Sequence, residues 1–321
     1  MTRALLAVSV VNATAAHAAD SDADDVVKVL ESVPTEIPLL QGVTTGSATD
    51  LVEAGNSSSE RAAIRDVADV FVSGAGKKPL AVELLAAQNA TEVSVSSEGI
   101  EVIDNGNGSS TVPLKHADGS LQIVTVIESS NAPTEYAVDV ELPLGVVLTP
   151  TDDGALLATD SNGALVLGVA PAWAYDADGV SVPTRYVVQD TKIVQIVDHA
   201  SGNFSYPVSA DPWLGVRLFD PMTVNRQGTF NGRNVYSGRL TPWGVTMGLS
   251  AQGHAIMAGA GWEEFASQWS AVRSSTSLYQ QYQCHAAYGR AIIGAGFHWD
   301  LEASRPANGN WPNVLAHRCN W

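Results

Sequence analysis

Between Thr91 and Pro212 no helix of ordinary length can form. The stretch is divided into short apolar or alternating runs, among them "GIEVI", "LQIVTVIE", "EYAVDVEL", "GALVLGVA" and "TKIVQIV". The dividers are "DNGNGS", "HADGS", "TDDG", "DSNG" and "DADG". Asn, Asp and Gly in such clusters stabilise tight turns, Gly by accepting positive φ. Short runs of period two separated by turns are strands joined by hairpins. Residues 91–212 therefore read as a mainly β, sandwich-like scaffold. The acidic pairs in its turns, such as Asp152-Asp153 and Asp176 with Asp178, lack the ligand spacing of an EF-hand calcium loop and read as solvated turn residues. No metal and no cofactor is expected.

Upstream, "MTRALLAVSVVNATAAHAAD" has Arg3 as a positive n-region, "ALLAVSVV" as an apolar h-region and Ala16-His17-Ala18 as a small-x-small cleavage pattern. Residues 1–19 are read as a signal peptide, cut after Ala18 or Ala19. Residues 20–90 read as a loosely ordered, partly helical leader. Val26, Val27, Leu30 and Val33 have helical spacing. A second helix is expected in "SERAAIRDVADVFV", with Ser59 as cap and Ala63, Val67, Val70 and Phe71 on one face. No run approaches the roughly 20 apolar residues of a membrane-spanning helix, so no membrane span is expected.

Charge locates the next boundary. Residues 1–212 carry 29 acidic and 9 basic side chains, and residues 213–321 carry 5 and 8. Seven of the eight tryptophans lie from Trp213 onward, and every basic side chain there is arginine. A separate domain is expected over 213–321. Both cysteines of the chain lie in it, and in an exported protein such a pair is normally oxidised. Neither belongs to a C-x-x-C pair, so a Cys284–Cys319 disulfide is expected.

Two resemblances add to this reading. The passage from Val166 to Trp213 resembles the β-region of Rhs-type and other large secreted wall-associated proteins, through Pro171, Asp176, Gly179, Tyr206, Pro207, Val208, Asp211 and Pro212. That resemblance implies a presenting scaffold and no activity. Residues 213–321 are similar to a family of C-terminal domains of uncharacterised function in actinomycete secreted proteins. The matching residues are Pro242-Trp243, Trp262-Glu263, Gln281, Cys284-His285, Trp299-Asp300-Leu301-Glu302, Arg305-Pro306 and Cys319-Asn320. "RLTPWGVT" inverts the family's Pro-Thr order.

In the tail, "AQGHAIMAGAGWEEFASQWSAV" and "SLYQQYQCHAAYGRAII" are helix candidates, while "NVYSGRLTPWGVTMGL" and "HWDLEA" read as strands, giving a small disulfide-stapled α+β domain. His298, Asp300 and Glu302 alternate on one strand face, and a disulfide would place His285 and His317 at its two ends. Imidazole and carboxylate are the groups for acid–base work, so His285, His298, Asp300, Glu302 and His317 are the catalytic candidates. Trp262, Glu263, Trp299 and Arg305 are the binding candidates, since indoles offer flat area and arginine gives directional hydrogen bonds. A His-Glu-x-x-His motif and a Gly-x-Ser-x-Gly elbow are both absent from the sequence. The competing account of the same residues is a local Glu302–Arg305 ion pair, a histidine packed by the disulfide and tryptophans filling a core.

These features suggest an exported bacterial protein, extracellular or cell-wall associated, that acts in recognition or presentation at the envelope. Its expected partner is cell-wall or carbohydrate polymer. Nucleic acid is not expected, because the tail's excess of basic side chains is too small for strong phosphate binding. The alternative is a secreted hydrolase or toxin-like module using the histidines and carboxylates of the tail.

Overall fold

The computed structural model describes residues 13–34, 39–45, 69–74, 78–152, 154–220, 223–249, 253–288, 298–319 and 321. The N-terminal region is mainly β. A five-stranded antiparallel sheet runs in the order Asp69–Val72 (β1), Leu80–Glu83 (β2), Glu135–Val140 (β7), Lys192–Val197 (β13) and Thr184–Gln189 (β12). A ten-stranded sheet faces it. Its main path is Glu92–Val95 (β3), Glu101–Asp104 (β4), Ser109–Lys115 (β5), Leu121–Ile127 (β6), Trp213–Gly215 (β15), Leu165–Val169 (β10), Leu156–Thr159 (β9) and Thr149–Pro150 (β8). Val208–Asp211 (β14) also pairs with β6, and Trp173–Tyr175 (β11) pairs with β14.

Strand β6 is buried along its whole length because both faces of its sheet are covered. Leu121 and Ile123 point into the core shared with Val70, Val82, Val138 and Ile193 of the five-stranded sheet. Val124 and Val126 point the other way, onto Ala23, Val27 and Leu30 of helix α1 (Ala13–Ser32). The period-two alternation of a strand thus builds a sandwich core on one face and a helix-covered core on the other. The turns use the expected chemistry. Asp160 accepts the N–H groups of Asn162 and Ala164, and Asp176 accepts those of Asp178, Val180 and Ser205.

One expectation for the N-terminal third changes. Residues 69–72 form strand β1 and not the end of a helix, with Val70 and Val72 fully buried and Phe71 40% exposed between them. That is a period of two, which the helical reading of the same residues overlooked. The rest of that expected helix, residues 59–68, and the h-region of the expected signal lie outside the described residues.

The C-terminal region is helical around a small sheet. Its three strands, Thr223–Phe230 (β16), Arg233–Arg239 (β17) and His298–Glu302 (β18), are antiparallel in that order. Its helices are Pro242–Leu249 (α2), His254–Ala258 (α3), Ala260–Ser267 (α4), Ser270–Arg273 (α5), Thr276–Tyr288 (α6) and Val314–His317 (α7). The strand expected over 234–249 ends at Arg239 and gives way to α2. Thr241 Oγ1 accepts the Gly244 N–H at 2.9 Å, so Thr241-Pro242 is an N-cap followed by proline in the first turn. The single helix expected over 251–272 is three short ones. The chain breaks at Gly259 and at Trp269, whose backbone is extended at φ −143° and ψ 122°.

One core spans the two regions. Trp243, Ile256, Phe265, Tyr282 and Trp299 of the tail pack in the same cluster as Ala155, Leu165, Ala170 and Trp213. Strand β15, which opens the tail by composition, is hydrogen-bonded inside the scaffold sheet.

Candidate functional site

The residues singled out in the tail gather around β18 and α6. On β18 the alternation is as expected: Trp299 and Leu301 are buried, while His298 and Asp300 are exposed and Glu302 is half-buried. Trp299 is 3% exposed and its ring lies against Phe219, Tyr282 and His285, so it belongs to the core and offers no binding face.

Asp300 accepts the Ser237 hydroxyl at 2.5 Å from the neighbouring strand. Arg305 is paired with Glu302, donates to the Trp321 carbonyl and sits over the Phe230 ring at 4.9 Å. Gln281 of α6, almost fully buried, accepts the Glu302 N–H and donates to the Glu302 carbonyl. Arg305 and Glu302 therefore fasten the last segment of the chain to the sheet.

His285 follows Cys284 on α6 and stacks on Trp299, ring centroids 5.5 Å apart. Its Nδ1 is sealed from solvent with no hydrogen-bond partner among the described residues. Burial lowers its pKa to about 4, opposed by the charge and backbone of Asp300. His317 Nδ1 accepts the Cys319 N–H at 3.0 Å and its Nε2 is buried without a partner among the described residues. Cys284 and Cys319 are joined, with Cα atoms 5.6 Å apart, and with Val314 and Trp311 they form a small apolar cluster. The structure thus brings His285 to Asp300 and Glu302 to Arg305. It leaves His298 exposed at the strand end, opposite Arg239. Among the described residues no three His, Cys, Asp or Glu side chains are grouped so as to hold a metal ion.

The other two binding candidates, Trp262 and Glu263, lie on α4 at the surface. Half-buried Trp262 meets the edge of Tyr279 at 5.0 Å, and Tyr279 is 43% exposed. Glu263 pairs with Arg273 at 2.8 Å. Tyr279 and Arg273 were not singled out in the sequence, because they meet Trp262 and Glu263 only through the fold of α4, α5 and α6.

Glu264, one residue on, has a different role. It is 7% exposed and accepts the Leu218 and Phe219 N–H groups at 3.0 and 3.1 Å, holding the segment that follows β15. Its signal was an acid on the same helix face as Ala260 and Phe265. Two clefts lie on the scaffold. One of about 380 Å³ between α1 and the ten-stranded sheet is lined by Asp22, Asp25, Glu92, Asp104 and Glu128 among others, with no residue of the tail.

Residues 235–321 match the family described as "Protein of unknown function (DUF2599)", so a domain of that family is present at the C-terminal end. No curated protein and no solved structure matches the chain.

Proposed function

We propose that this is an exported bacterial protein whose β scaffold presents the C-terminal domain for recognition at the cell envelope, with wall polymer or another carbohydrate as the partner. The observation that carries this reading is the surface of α4 to α6, where Trp262 meets exposed Tyr279 and the next residue, Glu263, pairs with Arg273. Aromatic faces cover the C–H faces of sugars at low entropic cost, and a neighbouring carboxylate and guanidinium supply hydrogen bonds to hydroxyls. A signal cut after Ala18 or Ala19 would leave Ala23, Val27 and Leu30 in place to cover the sheet. The hydrolase alternative has less support, since Glu302, Asp300 and His317 are each engaged by a separate structural partner.

The test is sedimentation of the full chain with insoluble cell-wall polymer. Wild type should co-sediment, and Trp262→Ala with Tyr279→Ala should weaken binding at least about tenfold, in line with the weight of aromatic anchors at interfaces. Equal binding by the double variant, or none by wild type, would reject the reading. Export is checked by sequencing the mature N-terminus, expected at Ala19 or Asp20.

A further inference from the structure

Asp211 and Pro212 sit where β14 runs into β15. Toward β6 the pairing is continuous, with Ala210 opposite Thr125 and Trp213 opposite Gln122. On the other side the register slips by one residue between the Trp173–Asp211 and Val169–Leu214 pairs. Residues 170–172 there oppose only Pro212 and Trp213, so the Asp211–Pro212 peptide bond lies at a β-bulge inside the sheet, a common place to re-aim side chains.

The surroundings of that bond are chemically specific. The Asp211 side chain is 1% exposed and its Oδ2 accepts the Gln122 amide. Tyr186, from β12 of the opposite sheet, donates its hydroxyl to the Asp211 main-chain carbonyl oxygen at 3.1 Å. His116 is buried next to Gln122, and its ring stacks on Trp213 at 4.8 Å.

We infer that Asp211 cleaves its own peptide bond to Pro212, with its carboxyl as the nucleophile and the Tyr186 hydroxyl as the donor to the oxyanion. A carboxyl oxygen bonds to the Asp211 carbonyl carbon and closes a five-membered ring, an intramolecular attack favoured by proximity. Negative charge develops on the carbonyl oxygen that Tyr186 already contacts. The C–N bond to Pro212 breaks, and the carboxyl proton passes to the proline nitrogen, which leaves as a secondary amine. Water then opens the cyclic anhydride, restoring the Asp211 side chain and creating a new α-carboxyl. Burial raises the Asp211 carboxyl well above the usual carboxylate range, which favours the protonated form that carries the proton needed by the leaving nitrogen. Gln122 is a positioning residue that aims the carboxyl.

The cut falls where the acidic scaffold gives way to the tail. Both cysteines lie downstream, so the disulfide does not tether the pieces. Strand β15 remains paired with β6 and β10, so the two fragments stay associated until denatured.

The test is incubation of the purified full chain at neutral pH for days, read by denaturing gels and intact mass. Expected are two fragments with or without reductant, the smaller beginning at Pro212. Tyr186→Phe should slow the cut by about a hundredfold, the usual cost of losing an oxyanion donor. Asp211→Asn should slow it at least as much. Melting curves verify that each variant is folded, and Tyr186→Phe, which keeps its ring, serves if the Asn variant does not fold. An uncut wild-type chain, cleavage at another bond, an equal rate in the urea-unfolded chain, or an unchanged rate in a folded variant would overturn the proposal.

Discussion

His285 carries a pH dependence whose sign follows from its surroundings. Its ordinary pKa of 6.5 falls to about 4 in the fold because burial disfavours the charged ring. The unfolded chain therefore takes up a proton below pH 6.5 that the folded chain refuses until about pH 4. Stability is full above that window and declines as pH falls through it, by about 3 kcal/mol at the lower end. His285→Phe keeps a ring on Trp299 and removes the titration. Urea midpoints at pH 7 and near pH 4 should differ less in the variant than in wild type. Burial also lowers the His116 pKa, with the same sign, so the comparison with wild type isolates His285. An identical acid dependence in both proteins would contradict this account. The position of His285 beside the disulfide was legible in the sequence, as was the shared face of His298 and Asp300, since strand alternation and Cys284-His285 adjacency are local. What holds them was not legible. Ser237 reaches Asp300 and Gln281 reaches Glu302 across 63 and 21 positions of chain.

Elements were read well where their boundary chemistry is local. The Asp- and Gly-bearing turns marked the strands of the scaffold, because an Asp side chain closing over the next few N–H groups is a short-range event. One misread element, α2, also carries a local signal: Thr241-Pro242 is a helix start, masked by the apolar run that follows it. Thr241 Oγ1 serves twice, donating to the Arg217 carbonyl at 3.1 Å and accepting from Gly244. Thr241→Ala should cost about 1–2 kcal/mol, the usual loss for a helix cap with a second bond, measured by urea unfolding. A change within error would mean that α2 is held by Trp243 alone. The disulfide acts on elements too, clamping α6 to the segment that carries α7. Cys284→Ala with Cys319→Ala should destabilise the tail by about 2–5 kcal/mol. Its own small cluster of Val314 and Trp311 should loosen first, read as faster amide exchange after Asn313. Unchanged exchange there would place the bond's effect elsewhere.

At the scale of the whole molecule, composition and packing divide the chain differently. Charge and tryptophan content change at Trp213, yet Trp213–Gly215 is a strand of the scaffold sheet. A change in surface charge says little about which apolar faces meet, and one indole lies in the joint between them. Trp243, fully buried at the start of α2, lies over the cross-strand pair Gly168–Gly215. A Cβ at either glycine would fall 2.6 or 2.3 Å from that ring. The indole Nε1 donates to the Trp213 carbonyl at 3.3 Å, and the Trp243 N–H donates to Asp118 at 3.2 Å. No sequence period marks a slot made of two glycines 47 positions apart, which is why this joint was not legible. Because the tail's core continues onto Leu165 and Ala170 through this ring, scaffold and tail should unfold together in wild type. Trp243→Ala should remove about 3–5 kcal/mol, the usual range for emptying a buried tryptophan site. It should also split the thermal transition into two, the later one belonging to the β scaffold. Gly215→Ala approaches the same joint from the scaffold side and should split the transition likewise, and the double variant should cost less than the two single losses added together. Two transitions already present in wild type, or strict additivity of the pair, would show that the tail is fastened to the scaffold by something other than this indole.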